Sequence, residues 1–550
     1  MQAGAIHPII YVRGYATTQT EMEDTVADPY MGFNLASCKV RQLWDGTVKK
    51  YFFESPVVRL LKQFQYDDVY EEGADRVADG RKLTNPDDPQ RPVPYRSIVI
   101  YRYYEPSSED LGTGQKPDMK RFATGLGQLI LDLRDRIYPE GAKTRLTRED
   151  RDKGKLPYEQ FRVYLIAHSM GGLVCRAFLQ NPSFGTAEAR KLVDKVFTYA
   201  TPHNGIEVGI LGNVPRWLNL YGMDTFNRKE IAKLLGLEKL PKEQQDGENV
   251  DLVTHFDPRR IFNLVGTNPQ DYSVAAGLAS GVVGKESDGL VRIKNATTRG
   301  PGKEFVPSPQ AYVHRSHSGY FGIVNSEEGY QNLVRFLFGD ARADGYLDID
   351  ELTLPPEVEK EYQAGKEVRA SYLFEVSVSI RNKPWHLHRR TAQENSAIFR
   401  KFDDLFPKWD AKKKAWRPNR AESPMLFNVF LDMGQSQTGK TLAFAADLCV
   451  RVPEYLVEGR LFFRDHFEGG YLFRDMVMLE ATPPATAEGD WKVEYQFASQ
   501  RNGKPEQATI IKGGSEGITF EIPVAQPEPP GIKGRLRVVT SFWNDWQGKS

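Results

Sequence analysis

The sequence is poor in cysteine, has no excess charge of either sign and contains no long apolar run. Only three cysteines occur in 550 residues, Cys38, Cys175 and Cys449, and their odd number and wide spacing indicate neither a disulfide framework nor a cysteine-rich zinc site. Lysine plus arginine and aspartate plus glutamate each number 73, so the basic surplus of a dedicated nucleic-acid-binding protein is missing. No apolar run approaches the roughly 18 residues of a membrane-spanning helix, which leaves transient contact with a membrane surface as the one membrane role to consider.

The N-terminus, MQAGAIHPIIYVRG, leads directly into an apolar strand. It lacks the basic region and the apolar stretch of a cleaved signal peptide, so the expected location is cytoplasmic, with leaderless export left open. At roughly 100–200 residues per domain, the length predicts two to four domains.

Residues 1–345 alternate short apolar runs with helical patterns, which predicts a doubly wound, mostly parallel sheet with helices on both faces. Strands are predicted at Ile9–Val12, Ser97–Tyr104, Phe161–Ala167, Val193–Tyr199, Ile261–Val265 and Ala311–Val313, and helices at Phe122–Ile137, Gly172–Leu179 and Gly329–Phe338. Two insertions, 18–96 and 206–260, interrupt the pattern. Insertions of this length are typical of lids, and 206–260 has a helical pattern.

The pattern changes after about residue 345. Residues 346–369 include a stretch rich in proline and charge and are predicted to be a linker. Beyond it, Ser371–Arg381 and Thr441–Val452 alternate apolar and polar residues with period 2, and Gly-Gly turns separate such runs. We therefore expect residues 370–550 to form a second, all-β domain resembling a sandwich.

The sharpest local motif is Ala167-His168-Ser169-Met170-Gly171-Gly172, which follows an apolar strand and opens a helix. Small residues two positions before and two after Ser169 permit a tight strand-to-helix turn that projects the hydroxyl above the sheet edge. The helix N-terminus supplies N–H groups and a positive dipole end suited to a developing oxyanion, with Met170 N–H as one donor. Ser169 is therefore the candidate nucleophile, although a helix-capping serine has similar neighbours.

A serine needs a base and a residue that orients the base. The candidate base is His317, with His314 as the alternative, and both lie between a predicted strand and the last helix. The candidate acid is Asp288, which could also be a simple Asp-Gly turn, with Asp271 as the alternative. The chain order Ser, acid, His is the one expected for this architecture. The second oxyanion donor should come from the loop after the first strand, where Gly14 permits close approach.

Five elements in this order resemble bacterial lipases and lipase-like esterases of the α/β-hydrolase fold over roughly residues 5–340. They are Tyr11–Tyr15, Ala167–Gly172, Ala200–Gly205, Ser287–Val291 and the region around His317. The resemblance implies Ser169 as nucleophile, Asp288 as acid, His317 as base, and Tyr15 and Met170 as oxyanion donors, with His203 structural. Arg13 departs from the histidine common before the oxyanion glycine, which affects the expected shape of that loop but not its backbone donors.

Three further patterns suggest ligands. Gly434–Thr441 matches the phosphate-loop pattern, but period-2 alternation after it predicts a strand where the motif requires a helix. Asp340–Glu351 resembles a calcium-binding loop, but Arg342 has the wrong charge, and an Asp-Gly turn into a short strand is expected instead. His386 and His388 would share one face of a strand without an evident third ligand. No metal and no cofactor are expected.

The sequence thus predicts a serine hydrolase that cleaves carboxylic esters, of the lipase or esterase type, acting on a small-molecule or acyl-lipid-like substrate. A phospholipase or acyltransferase could use the same triad. A non-enzymatic scaffold carrying a binding sandwich is the alternative from another class. The partner of the β-rich domain and the oligomeric state stay open.

Overall fold

The computed structural model describes residues 6–14, 28, 30–33, 35, 37–42, 48–69, 93–103, 118–206, 228–240, 249–269, 286–301, 306–318, 322–364, 366–380, 383–410, 415–435, 441–458, 464–483, 490–500, 503–514 and 517–544. The chain divides into two compact units. The first, termed the α/β unit, comprises Ala5–Gln310 and His314–Leu337. The second, termed the β-rich unit, contains Phe338–Ser550.

A parallel sheet is the centre of the α/β architecture. The described strands from the N-terminus to residue 313 are β1 Ile9–Val12, β2 Ser37–Gln42, β3 Val48–Phe53, β4 Asp67–Val69, β5 Ser97–Ile100, β6 Val163–His168, β7 Val193–Tyr199, β8 Ile261–Gly266 and β9 Gln310–Val313. Seven of these form one sheet in the order β4-β5-β1-β6-β7-β8-β9, while β2 and β3 form a separate hairpin within the first insertion. The sequence expectation of an α/β-hydrolase sheet is confirmed.

Helices flank this sheet. They are α1 Pro56–Phe64, α2 Met119–Ile137, α3 Arg148–Asp152, α4 Met170–Gln180, α5 Ala187–Lys191, α6 Arg228–Leu235 and α7 Glu327–Phe338. Strand β6 is buried along its whole length, which explains its continuous apolar run. Close helix packing explains Gly127 on α2, because a Cβ there would lie 2.8 Å from the Phe178 ring on α4.

Strand register decides where the site forms. β1 pairs in parallel with β6, with Val12 beside Ala167, so both strands end at the same edge of the sheet. That register brings Arg13 and Gly14 beside His168 and Ser169. The carboxyl edge of a parallel sheet is where open α/β folds bind ligands.

The β-rich unit contains two larger antiparallel sheets around one apolar core, and a separate two-stranded sheet formed by Lys408–Asp410 and Ala415–Arg417. Its elements are β10 Ala341–Thr353, α8 Pro356–Gln363, β11 Val368–Ser379, β12 His388–Arg390, β13 Ile398–Lys401, α9 Phe402–Leu405, β14 Lys408–Asp410, β15 Ala415–Arg417, β16 Met425–Leu431, β17 Leu442–Glu458, β18 Arg464–Thr482, β19 Lys492–Phe497, β20 Glu506–Gln507, β21 Thr509–Gly514, β22 Gly517–Gln526 and β23 Gly531–Phe542. One sheet has the order β16-β10-β23-β22-β21, and the other β12-β11-β17-β18-β19-β20 with β13 beside β11. The expected all-β C-terminal region is confirmed.

The structure differs from the prediction over residues 341–369. The expected linker over 346–369 contains most of β10, all of α8 and the start of β11. The expected Asp-Gly turn is also wrong, because β10 continues through Asp344 and Gly345. A Cβ at Gly345 would lie 2.4 Å from the Phe427 ring, so close strand packing rather than a turn accounts for this glycine.

Candidate active site

Ser169 occupies a strained turn between β6 and α4. Its backbone angles are φ 52° and ψ −127°, a region that residues other than glycine rarely adopt. The surroundings fix this conformation, since Ser169 N donates to the carbonyl of Tyr199 at 2.9 Å and the Ser169 carbonyl accepts from Gly172 N at 3.1 Å. Strain of this kind is retained where the neighbouring structure determines it, which is common at functional sites.

The glycines around Ser169 allow backbones and side chains to approach closely. A Cβ at Gly14 would lie 2.5 Å from the Ser169 Cβ, and one at Gly171 would lie 2.1 Å from the Val12 carbonyl oxygen. A Cβ at Gly172 would lie 2.2 Å from Thr201 Oγ1. The small residues of the motif are therefore required by contacts with the loops after β1 and β7.

Ser169, His317 and Asp288 come together in one hydrogen-bonded chain. Ser169 Oγ lies 2.9 Å from His317 Nε2, and His317 Nδ1 lies 3.0 Å from Asp288 Oδ2. The carboxylate can only accept, so His317 donates from Nδ1, which leaves Nε2 to accept the proton of the Ser169 hydroxyl. This is the arrangement in which a hydroxyl can be deprotonated as it attacks.

Asp288 is oriented by its own turn. It is buried, and its Oδ1 accepts from the backbone N–H groups of Leu290 at 3.0 Å and Val291 at 2.8 Å. The Asp288 carbonyl also accepts from the backbone N–H of His317 at 2.9 Å. The Asp-Gly turn noted in the sequence is present, and it aims the carboxylate at the imidazole.

The remaining candidate residues lie in different places. His314 is exposed, and its Nδ1 lies 3.4 Å from Thr267 Oγ1 rather than at Ser169. Asp271 and Tyr15 lie outside the described residues. Met170 is the first residue of α4, so its N–H belongs to the first turn, whose N–H groups have no partner within the helix.

Comparison with known proteins bears on the fold of this part of the chain. A family model described as a PGAP1-like alpha/beta domain matches residues 153–221, the segment from before β6 through α4, β7 and part of the second insertion. This is a family of the α/β-hydrolase type. The chain has an α/β-hydrolase fold. No curated protein matches the chain.

Two contacts around the candidate site were not predicted from the sequence, and the first is the one that His168 makes. Its Nε2 lies 2.9 Å from the His317 carbonyl oxygen. Burial lowers the pKa of His168 well below its usual value, and the neighbouring His317 and Arg13 act in the same direction. The only signal in the sequence was a histidine at the end of an otherwise apolar strand.

The second missed feature is Arg176, whose guanidinium is buried in α4. It donates to the carbonyls of His203, Val250 and Leu252 and to the Gln180 side chain, each at 2.9 Å. Burial lowers the pKa of Arg176 to about 10. These bonds tie the chain where it enters the insertion after β7 to the chain where it returns. A lone arginine inside the apolar stretch Gly171–Leu179 was the available signal.

His203 is buried in the loop after β7, where its Nε2 lies 3.2 Å from Thr198 Oγ1. Burial, together with the nearby Arg176, lowers the pKa of His203 well below its usual value. The resemblance implied a structural role for His203. Its contacts with β7 and with Arg176 agree with that role.

The other ligand-like patterns do not form a metal site among the described residues. There, no group of three or more histidine, cysteine, aspartate or glutamate side chains could hold a metal ion. Gly434 and Gln435 lie in a short 3-10 turn, residues 436–440 lie outside the described ranges, and β17 begins at Leu442, so a strand follows the motif as predicted. Among the same residues, no helix is long and apolar enough to cross a membrane.

Proposed function

We propose that this chain is a serine hydrolase that cleaves carboxylic esters through Ser169, His317 and Asp288. The observation that carries the proposal is the hydrogen-bonded chain of 2.9 Å and 3.0 Å that joins these side chains at a strained strand-to-helix turn. A buried serine on an ordinary helix cap would need neither the strain nor the oriented imidazole.

The proposed reaction follows from the hydrogen-bond donors and acceptors of Ser169, His317 and Asp288. The Ser169 hydroxyl gives its proton to His317 Nε2 as Oγ attacks the acyl carbonyl, and His317 then delivers that proton to the leaving alkoxide. Asp288 holds the Nδ1 proton and stabilises the imidazolium. The N–H groups of Met170 and Tyr15 would hold the tetrahedral oxyanion. In the second half, His317 deprotonates a water that attacks the acyl-enzyme, which releases the acid and restores Ser169.

The proposed substrate class rests on the insertion after β7. Its first part is unusually apolar and includes Ile206, Val208, Ile210, Leu211, Val214, Trp217, Leu218, Leu220, Tyr221 and Met223. Residues 207–227 lie outside the described residues, and their apolar character is a property of the sequence. A lid of that composition would line an apolar acyl pocket, and each buried methylene would add about 0.8 kcal/mol of binding.

A covalent probe tests the chemistry. We expect a fluorophosphonate to label the wild-type protein once, on Ser169, and Ser169→Ala to lose both the label and ester turnover with an unchanged melting temperature. Labelling elsewhere, or full turnover by folded Ser169→Ala, would contradict the mechanism. A wild-type protein that takes no label and hydrolyses no ester would support a non-enzymatic scaffold.

A panel of esters tests the substrate class. We expect kcat/KM to rise from acetyl to medium or long acyl chains, and the panel should include a phospholipid and an alcohol acceptor to detect phospholipase or acyltransferase activity. A steady fall from acetyl upward would indicate a short-chain esterase with a small pocket.

A further inference from the structure

His168 lies beside the nucleophile and contacts the base loop. It is the last residue of β6, it is buried, and its Nε2 lies 2.9 Å from the carbonyl oxygen of His317. The two imidazole rings lie side by side, with centroids 5.0 Å apart and planes inclined by 43°. This contact joins the end of β6 to a loop that lies 149 residues later in the sequence.

The contact defines the protonation of His168. A carbonyl oxygen can only accept, so Nε2 must carry a hydrogen. Burial favours the neutral ring, and two further groups that face it, the His317 imidazole and the Arg13 guanidinium, disfavour a second positive charge. His168 is therefore a neutral donor, and it stays one when His317 becomes charged during the reaction.

The bond completes the support of the proposed base. The peptide N–H of His317 donates to the Asp288 carbonyl at 2.9 Å, while its own carbonyl accepts from His168. Its ring is held by Asp288 on one side and Ser169 on the other. His168 thereby connects the carbonyl end of His317 to the end of β6, directly before Ser169.

We propose that His168 is a positioning residue whose Nε2–H bond to the His317 carbonyl holds the His317 ring against the Ser169 hydroxyl. This inference rests on the proposed function. The role depends on the order of residues at the end of β6, because His168, which donates to the His317 carbonyl, directly precedes the nucleophile Ser169. A displacement of about 1 Å at a reacting group can cost about 100-fold in rate.

Matched substitutions separate the hydrogen bond from the bulk of the ring. His168→Phe keeps a planar ring without the donor, and His168→Gln places an amide N–H close to the position of Nε2. We expect His168→Phe to lower kcat about 100-fold with KM changed less than about threefold, and His168→Gln to recover to within about tenfold of wild type. If the phenylalanine variant does not fold, His168→Asn replaces it, because its shorter amide cannot reach the carbonyl.

Two controls make the result specific. His7 is also buried but precedes β1 at the opposite edge of the sheet, so His7→Phe should change stability without changing kcat. A kcat within twofold of wild type in the donor-free variant, or equal losses in Gln and in the donor-free variant, would overturn the inference. Ser169→Ala in the same assay separates the two proposals: if it stays fully active, the proposed function fails, whereas an inactive Ser169→Ala beside an active donor-free variant refutes only the role of His168.

Discussion

The two units bury polar groups in different ways. In the β-rich unit, β11 and β22 alternate buried and more exposed residues, and charged pairs such as Arg451–Glu375 occupy the partly exposed face. In the α/β unit, β1, β6 and β8 are buried along their whole length. Some polar side chains buried there, such as Asp288 and His317, lie in loops at the carboxyl edge of the sheet, while others, such as Lys195 in β7, lie within strands and helices.

Backbone strain follows the same division. Ser169 and Ala200 have positive φ angles and directly follow β6 and β7. In the β-rich unit, the described residues with positive φ include Asn395 and Asn544, residues of a type that tolerates this conformation. The comparison indicates that the parallel sheet provides a regular apolar base, while the strained Ser169 and Ala200 and the buried Asp288 and His317 lie at its carboxyl edge, where chemistry is proposed.

The largest expected effect concerns the partners of Ser169. His317→Ala should lower kcat/KM by about 10⁴-fold, because His317 is the base that contacts Ser169 Oγ among the described residues, and Asp288→Asn should approach that loss. His314→Ala and Asp271→Asn are the matched controls and should cost less than about tenfold. Ester kinetics with melting temperatures decide this. A control variant more damaging than its partner would reassign that position.

A smaller effect is expected from alanine substitution of two glycines, one closely packed and one in open space. Gly171→Ala should destabilise the α/β unit by about 3 kcal/mol or more, because the new Cβ would lie 2.1 Å from the Val12 carbonyl oxygen. Gly514→Ala in β21 should be neutral or stabilising within about 1 kcal/mol, since nothing lies within 4 Å of a Cβ there. Hydrogen exchange measured by mass spectrometry reports each unit separately. Equal effects at the two positions would remove the contrast between the units.

Tryptophan fluorescence gives a second local probe. Six of the eight tryptophans lie in the C-terminal part of the chain, at Trp385, Trp409, Trp416, Trp491, Trp543 and Trp546. Fluorescence should therefore follow mainly the unfolding of the β-rich unit, whereas fluorophosphonate labelling should follow the α/β unit.

Acid should affect the α/β unit more steeply than the β-rich unit. Burial lowers the pKa of His7 to about 4 and lowers those of His168 and His203, while in the β-rich unit burial lowers the pKa of His388 to about 3. These rings stay neutral in the folded chain but take up a proton when it unfolds. Each neutral ring makes its full contribution to the free energy of unfolding above pH 6.5. As the pH falls from there towards the folded pKa, that contribution decreases by about 1.4 kcal/mol per pH unit for each ring.

His7→Asn tests this slope. Asparagine retains a polar group near Tyr95 Oη, which lies 2.9 Å from His7 Nδ1, but it does not titrate. Between pH 6.5 and about 4, the variant should lose stability less steeply than wild type by about 1.4 kcal/mol per pH unit. Unfolding free energies measured across this range give the comparison. Parallel curves would show that His7 takes up no proton on unfolding.

At the phosphate-loop-like segment of the β-rich unit, Gly434–Thr441, we expect no effect of ATP. ATP should not bind, because β17 begins where the motif requires a helix. Calorimetric titration of the wild type and of Lys440→Ala with ATP checks this. Saturable micromolar binding that disappears in Lys440→Ala would show that the β-rich unit carries a ligand site of its own.

The sequence alone determined several of the strands and helices and the candidate nucleophile. Period and apolar runs are local properties, so Ile9–Val12 and Val193–Tyr199 were predicted with the bounds that the structure has. Ser169 was identified because an elbow needs small residues at fixed short spacing. Residues 346–369 were mistaken for a linker because proline and charge also occur in a strand with one exposed face and in a short surface helix.

Only the tertiary structure decided which groups meet. Ser169 and His317 are 148 residues apart, and the sequence pattern, although it favoured His317 and Asp288, left His314 and Asp271 open as alternatives. The hydrogen bonds of His168 and Arg176 are long-range for the same reason, because the carbonyls they bind belong to other loops. Periodicity records which face of an element is buried. The partner of a buried polar group depends on the strand register and loop paths that bring distant segments to one edge of the sheet.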